Sequence, residues 1–174
     1  MDFYKYGAPN GARNKEIDKG IEMANTYSQI YIQIVFAVRG RENLISDDWK
    51  NELYKYITGI VKNKGQKLLA INGVSDHIHI LLNIKPNIAL SDLVRDIKAN
   101  SSRFINEKSF VKGRFYWQEG FGAFSYSISQ LDDVIEYIET QEKHHEETSF
   151  KNEYLKFLKR FKVEFDDEYV FDWN

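Results

Sequence analysis

The chain has 174 residues, of which 43% are hydrophobic and 29% are charged, and its formal net charge is −2 at pH 7. This composition is typical of a single globular domain, and no apolar run is long enough to span a bilayer. Because the chain contains no Cys, disulfides, thiolate zinc sites and a cysteine nucleophile are excluded.

The charge is unevenly distributed along the chain. Residues 26–128 carry 14 Lys and Arg against 9 Asp and Glu, whereas residues 129–174 carry 6 against 13. The basic body can hold a phosphate backbone, although this excess alone does not establish DNA binding. The N-terminus lacks the apolar stretch of a secretory signal. We expect a cytoplasmic protein with no membrane partner.

Residues 1–24 are polar, with scattered Gly and Pro, and predict a flexible N-terminal extension. Residues 25–174 are predicted to form a single domain. Its first strand is predicted over residues 30–38, where apolar residues alternate. Arg39 and Arg41 follow at the strand end, where they either grip phosphates or lie in a solvated loop.

A helix is predicted from Ser46 to Lys62, and a second strand from Leu68 to Val74. The next strand carries His77 and His79. Because side chains alternate along a strand, both imidazoles lie on one face, opposite the apolar face. Such a pair can seat a divalent metal, although imidazole suits several first-row ions. Two solvated histidines are the alternative, and a third ligand is needed to favour the metal.

A second long helix is predicted from Leu90 to Ile105, and the last strand over residues 124–128. Basic side chains lie on the outer face of this helix and in the loop after it. They are either solvated or in contact with DNA. These candidate DNA contacts are Arg95, Lys98, Arg103, Lys112 and Arg114.

The following helix supplies the third candidate ligand. Ser129 and Asp132 have the spacing of a capping box, and apolar residues recur at helical spacing up to Ile138. Tyr137 and Gln141 are then one turn apart on one side, where a phenol and an amide oxygen can approach the same metal. The alternative for Tyr137 is a half-buried aromatic beside the core.

Three other residues compete for these roles. Tyr126 is a rival nucleophile, but no ligand-type residue lies one helical turn after it. His144 and His145 are rival ligands or bases, although exposed polar residues near a helix end are the simpler interpretation. A last helix is predicted over residues 149–161. The acidic, aromatic tail after it is expected to pack on the domain or on a second subunit.

The segments His77-Ile78-His79 and Val134 to Gln141, in this order, resemble the single-tyrosine HUH transposases, the TnpA type of the Insertion Sequence 200/605 family. HUH means His, a hydrophobic residue, His. The resemblance extends from about Met23 to the C-terminus and includes residues 93–102 and 117–125. Family members usually begin near the equivalent of Met23, which leaves the native start open.

The element order strand–helix–strand–strand–helix–strand indicates an α+β, ferredoxin-like fold, an antiparallel sheet with two helices on one face. The resemblance implies that Tyr137 is the nucleophile and that His77, His79 and Gln141 hold Mg²⁺ or Mn²⁺. It also implies a homodimer, in which the C-terminal catalytic helix carrying Tyr137 crosses to the partner subunit, and association with the nucleoid when the protein is bound to DNA.

The implied activity is cleavage and rejoining of single-stranded DNA with hairpin ends, at the ends of an insertion sequence, through a 5′-phosphotyrosine intermediate. The unperturbed pKa of Tyr is about 10, so Tyr137 needs activation by the metal or by a nearby base. Three alternatives remain. They are a domesticated REP-associated transposase, a non-catalytic nucleic-acid-binding module, and a phosphodiesterase that activates water and would survive Tyr137→Phe.

Overall fold

The computed structural model describes residues 27–145 and 149–166. The predicted extension over residues 1–24 and residues 167–174 of the predicted tail lie outside this part. The helices and strands are β1 (Ile30–Ala37), α1 (Lys50–Asn63), β2 (Lys67–Gly73), β3 (His77–Ile84), α2 (Leu90–Glu107), β4 (Gly122–Tyr126), α3 (Leu131–Glu139), α4 (Gln141–His145) and α5 (Phe150–Arg160). In the described ranges, no helix combines the length and apolar character needed to cross a membrane.

The four strands form one antiparallel sheet in the order β2-β3-β1-β4. Apolar residues of β1 and β3 alternate between its two faces, as the period of a strand requires. On one face, Ile34 and Ile80 pack against the buried stripes of α1 and α2. This arrangement confirms the predicted ferredoxin-like α+β fold.

The second face of the sheet carries another buried layer. Val35, Leu81 and Phe124 of the sheet pack there with Ile138 of α3 and Phe157 of α5. The odd-numbered histidines of β3 share the face of Leu81, because side chains two residues apart point the same way. The fold therefore places both histidines beneath the C-terminal helices of the same chain.

Two predicted details of the Tyr137 helix are wrong. The capping box belongs to the short 3₁₀ helix Ile128–Gln130 that precedes α3, and it is formed by Ser127 with Gln130, whose Oε1 accepts the Ser127 backbone N–H at 3.0 Å. The helix also ends at Glu139, because Thr140 leaves helical geometry (φ −98°, ψ 18°). Tyr137 and Gln141 consequently lie on two successive helices, α3 and α4.

A tight connection joins β2 to β3 and sets the position of His77. A Cβ at Gly73 would clash with the carbonyl oxygen of His77 and would lie 2.7 Å from the Cα of Ile78. Because both obstacles are backbone atoms, we expect Gly73→Ala to lower the free energy of unfolding by about 2–3 kcal/mol.

Urea denaturation measures this change, and Gly59→Ala in α1 is the matched control. Nothing lies within 4 Å of a Cβ at Gly59, so Ala there should raise the free energy of unfolding by up to about 1 kcal/mol. Equal unfolding midpoints for the two variants would contradict the proposed backbone clash.

Candidate active site and metal centre

The two histidines of β3 are fully buried under the C-terminal helices. The ring of Phe150 lies 4.2 Å from the ring of His77, and the ring of Phe157 lies 6.1 Å from that of His79, centre to centre. The alternative of two solvated histidines therefore does not describe this structure.

Each imidazole is oriented by a contact at its Nδ1 atom. His77 Nδ1 lies 2.7 Å from Asp76 Oδ1, so Nδ1 carries the proton and Nε2 presents its lone pair to the site. His79 Nδ1 lies 2.9 Å from the amide group of Gln33, and Tyr126 Oη contacts the same amide at 2.8 Å. Rotation of that amide by 180° turns its oxygen to His79, so that Nδ1 of His79 carries the proton and donates it to this oxygen. Nε2 of His79 then has a lone pair that can bind a metal.

Three buried atoms beneath α3–α5 lack a hydrogen-bond partner, namely His77 Nε2, His79 Nε2 and Gln141 Oε1. In the described part of the chain only Tyr54 Oη shares this property. Buried polar atoms rarely go unpaired, and a divalent ion is a partner that an imidazole nitrogen and an amide oxygen can share. The residues present therefore fit the metal that the sequence predicts.

A carboxylate that the sequence analysis did not identify lies among these atoms. Glu153 of α5 is only 2% exposed. Its Oε2 atom lies 3.5 Å from His77 Nε2, 3.4 Å from His79 Nε2 and 3.1 Å from His145 Nε2. His145 is half-buried, which differs from the prediction of an exposed residue, because Glu153 lies against it.

The other oxygen of Glu153 faces the predicted nucleophile. Glu153 Oε1 accepts the hydroxyl of Tyr137 and, at 3.2 Å, the side-chain N–H of Gln141. Gln141 Nε2 also lies 3.3 Å from the backbone oxygen of Tyr137. One carboxylate thus contacts the tyrosine with Oε1 and the histidines with Oε2.

The sequence did contain a signal for Glu153. It lies three residues after Phe150 and four before Phe157, and both aromatic residues are buried on α5. A carboxylate within the apolar stripe of a helix is rarely buried without a partner. This position therefore marks Glu153 as a candidate site residue.

The titratable groups of the site influence one another. Burial raises the pKa of Glu153, but the three neighbouring imidazoles of His145, His77 and His79 outweigh it and hold the pKa of this carboxyl well below its usual range. Burial lowers the pKa of His79 to about 4. Burial also lowers the pKa of His77, but Asp76 and Glu153 outweigh it, so that the pKa of His77 is raised. The site thus contains a carboxylate beside a neutral His79.

The phenol of Tyr137 is held in its protonated form. Burial raises the pKa of Tyr137, and the carboxylate of Glu153 raises it further. Ionisation of this phenol therefore needs a positive charge close by. The rival Tyr126 has a pKa raised by burial to about 12, and its hydroxyl contacts Gln33 behind His79.

A cavity of about 340 Å³ opens beside Tyr137 and Glu153. Phe157 contributes an apolar wall, whereas Lys156 and Arg160, one turn apart on α5, are exposed. The volume lies in the usual range of ligand pockets. The cavity therefore combines an apolar wall, two cations and two carboxylates, of Asp133 and Glu153, with access to the Tyr137 hydroxyl.

The predicted basic residues at the end of β1 and before β4 form a small cluster. The guanidinium carbons of Arg39 and Arg114 each lie 5.4 Å from the centre of the Tyr116 ring. Tyr116 is 41% exposed, and Lys112 is exposed in the same loop. The side chain of Arg41 lies outside the described part of the structure.

The basic residues of α2 are engaged differently and lie on the helical layer opposite the histidines. Arg95 pairs with Asp92 at 2.7 Å and with Asp96 at 3.3 Å. Arg103 Nε lies 3.9 Å from a carboxylate oxygen of Glu107. Lys98 binds the backbone oxygens of residues 118 and 120. The structure thus does not bring these three residues together with Tyr137.

Comparisons with known proteins are in keeping with this geometry. The family model described as Transposase IS200 like matches residues 26–141, which include His77, His79, Tyr137 and Gln141. The ISDra2 transposase TnpA of Deinococcus radiodurans is 22% identical over 118 residues, covering 65% of this chain and 84% of that protein.

Two solved structures share the fold. A protein of Deinococcus radiodurans R1 described as a transposase has a TM-score of 0.55 and 21% identity, over 67% of this chain and 93% of its own. A REP-associated tyrosine transposase bound to a REP hairpin has a TM-score of 0.54 and 14% identity, over 70% and 72% of the two chains. The family model covers more than half of the chain, and the chain therefore belongs to the IS200-like transposases.

Proposed function

We propose that the protein cleaves and rejoins single-stranded DNA at the ends of an insertion sequence through a 5′-phosphotyrosine on Tyr137. The observation that carries the proposal is the convergence around Glu153 of the half-buried Tyr137 hydroxyl with three unpartnered ligand atoms, of His77, His79 and Gln141. Membership of the IS200-like transposases supports DNA as the substrate.

In this reaction the Tyr137 oxygen attacks phosphorus, and the bond from phosphorus to the 3′ oxygen breaks, leaving a free 3′-OH. The phosphotyrosine conserves the energy of that bond, so a 3′-OH can rejoin without ATP. Glu153 Oε1 accepts the Tyr137 hydroxyl and orients the phenol, whose proton passes in the overall reaction to the departing 3′ oxygen. Mg²⁺ or Mn²⁺, bound by His77, His79 and Gln141, would offset the charge that develops on the phosphoryl oxygens.

The proposal is tested by incubating the protein with labelled single-stranded element-end DNA and Mn²⁺, with a chelator control, followed by a denaturing gel. We expect a covalent protein–DNA band that the chelator removes. Clean cleavage without this band would instead favour a phosphodiesterase that activates water. Binding without cleavage would favour a non-catalytic module, and an adduct on REP hairpins alone would favour a domesticated transposase.

We infer that Tyr116 stacks on an unpaired base while Arg39 and Arg114 contact the neighbouring phosphates. Stacking of a base on an aromatic side chain is worth about 1–3 kcal/mol by alanine substitution. Tyr116→Ala should therefore weaken binding of single-stranded DNA by roughly 5- to 150-fold at fixed salt.

Fluorescence anisotropy at constant ionic strength measures this loss. Arg95→Ala on α2 is the matched control, since Arg95 already pairs with two carboxylates and should change the affinity by less than about threefold. Equal losses in the two variants would show that the Tyr116 cluster has no special role in DNA binding.

The family resemblance implies a homodimer with shared sites, whereas in this structure Tyr137 lies beside the histidines of its own chain. An exchanged dimer would make the same contacts with α3 donated by the partner. Mixing Tyr137→Phe subunits with His77→Ala subunits distinguishes the two arrangements by cleavage assay. We expect activity to return in the mixture, and no recovery would show that each site is formed within one chain.

A further inference from the structure

We propose that Glu153 and His145 are additional ligands of the catalytic metal ion, and that this five-residue centre prefers Mn²⁺ to Mg²⁺. The inference rests on the metal site of the proposed function and names ligands that the sequence motif does not contain. Glu153 lies on α5, outside residues 26–141 that match the family model. The proposed ligands therefore extend the metal centre beyond the HUH motif and Gln141.

The spacing of the atoms carries the proposal. Atoms that bind one divalent ion lie about 2.0–2.3 Å from it, so neighbouring ligands around the ion are roughly 3.0–3.5 Å apart. Glu153 Oε2 lies 3.1, 3.4 and 3.5 Å from Nε2 of His145, His79 and His77. All four ligand atoms fall within 4.8 Å of one another.

The contacts to His77 and His79 are too long to serve as good hydrogen bonds. Both Nε2 atoms lack a hydrogen-bond partner although a carboxylate oxygen lies beside them. Ligands of one ion keep this separation, because each points its lone pair at the ion rather than at its neighbour. The long contacts are therefore the expected geometry of a shared metal.

The charge of the site points the same way. As metal ligands the two imidazoles are neutral and, like the amide, supply no negative charge, whereas Glu153 supplies one at a position with 2% exposure. A buried carboxylate needs a nearby cation, and a divalent ion bound to Oε2 provides it. Oε1 still accepts the Tyr137 hydroxyl, so a single carboxylate group would link the nucleophile to the ion.

The ligand types determine the metal preference. Mg²⁺ favours oxygen ligands and retains several waters, whereas Mn²⁺ binds oxygen ligands as well and belongs to the first-row divalent ions that N, O and S sites bind. A centre with three imidazoles should consequently bind Mn²⁺ at least tenfold more tightly than Mg²⁺.

The test is calorimetric titration of the metal-free full chain with Mn²⁺ and with Mg²⁺, in the absence of DNA. We expect Glu153→Gln to weaken Mn²⁺ binding at least tenfold and His145→Ala to weaken it at least threefold. Glu164→Gln is the control, because Glu164 is exposed just after α5. An unchanged affinity in Glu153→Gln, or Mg²⁺ binding as tight as Mn²⁺, would overturn the proposal.

A spectroscopic measurement on the unmodified protein avoids dependence on how the variants fold. Electron spin echo modulation of bound Mn²⁺ should report three coordinated imidazole nitrogens, and two would overturn the role of His145. These results distinguish failure of the ligand assignment from failure of the proposed function. Mn²⁺ binding with these ligands but without a DNA adduct would reject the transposase reaction. An adduct together with unchanged Mn²⁺ affinity in Glu153→Gln would reject only the proposed additional ligands.

Discussion

Tyr137→Phe should reduce formation of the covalent protein–DNA adduct by at least about 10³-fold, because the phenol oxygen is the proposed nucleophile. The substitution removes one oxygen and keeps the ring. The centre of this ring lies 6.0 Å from that of His79 and 5.8 Å from that of Phe157. DNA binding should therefore change by less than about twofold.

The adduct is measured on a denaturing gel, and binding is measured by anisotropy on the same DNA. Tyr126→Phe is the matched control, since Tyr126 is the nearest rival in the sequence and its hydroxyl contacts Gln33 rather than Glu153. It should retain the adduct. A full yield of adduct from Tyr137→Phe would contradict the assignment of the nucleophile.

His77→Ala or His79→Ala should lower the rate of DNA cleavage by at least about 10²-fold, because each removes a proposed ligand of the metal that would stabilise the phosphate in the transition state. Asp76→Asn should have a smaller effect, about 10- to 100-fold, since Asp76 only orients the His77 ring through its 2.7 Å contact.

Single-turnover cleavage at several Mn²⁺ concentrations measures these effects. Asn83→Ala is the control, because Asn83 lies on the same strand and the same face as the histidines but at the opposite end of β3. A His77→Ala variant that cleaves at the normal rate in the presence of a chelator would remove the metal from the mechanism.

The sequence predicted the part of the site that depends on local periodicity. Alternation along β3 placed His77 and His79 on one face, and that face is the one covered by α3. The pairing of Arg95 with Asp92 can also be deduced from the sequence, because the two residues lie three positions apart on one helix. Such relations follow from the geometry of a single element.

The role of Glu153 depends on how distant segments pack. Glu153 and His77 come together because α5 docks on the second face of the sheet, and no local pattern specifies that docking. The break at Thr140 is similar. An isolated helical pattern predicts continuity from Tyr137 to Gln141, whereas the folded chain ends α3 at Glu139 and begins α4 at Gln141.

The central claim is that Tyr137 becomes covalently attached to DNA. The direct measurement is tryptic digestion of the Mn²⁺-dependent adduct, followed by nuclease trimming and fragmentation mass spectrometry. The tryptic peptide over residues 115–143 contains Tyr116, Tyr126 and Tyr137, so its fragment ions distinguish the three. A nucleotide remnant on Tyr137 is the predicted result. A remnant on Tyr116 or Tyr126, or efficient cleavage with no modified peptide, would contradict the account.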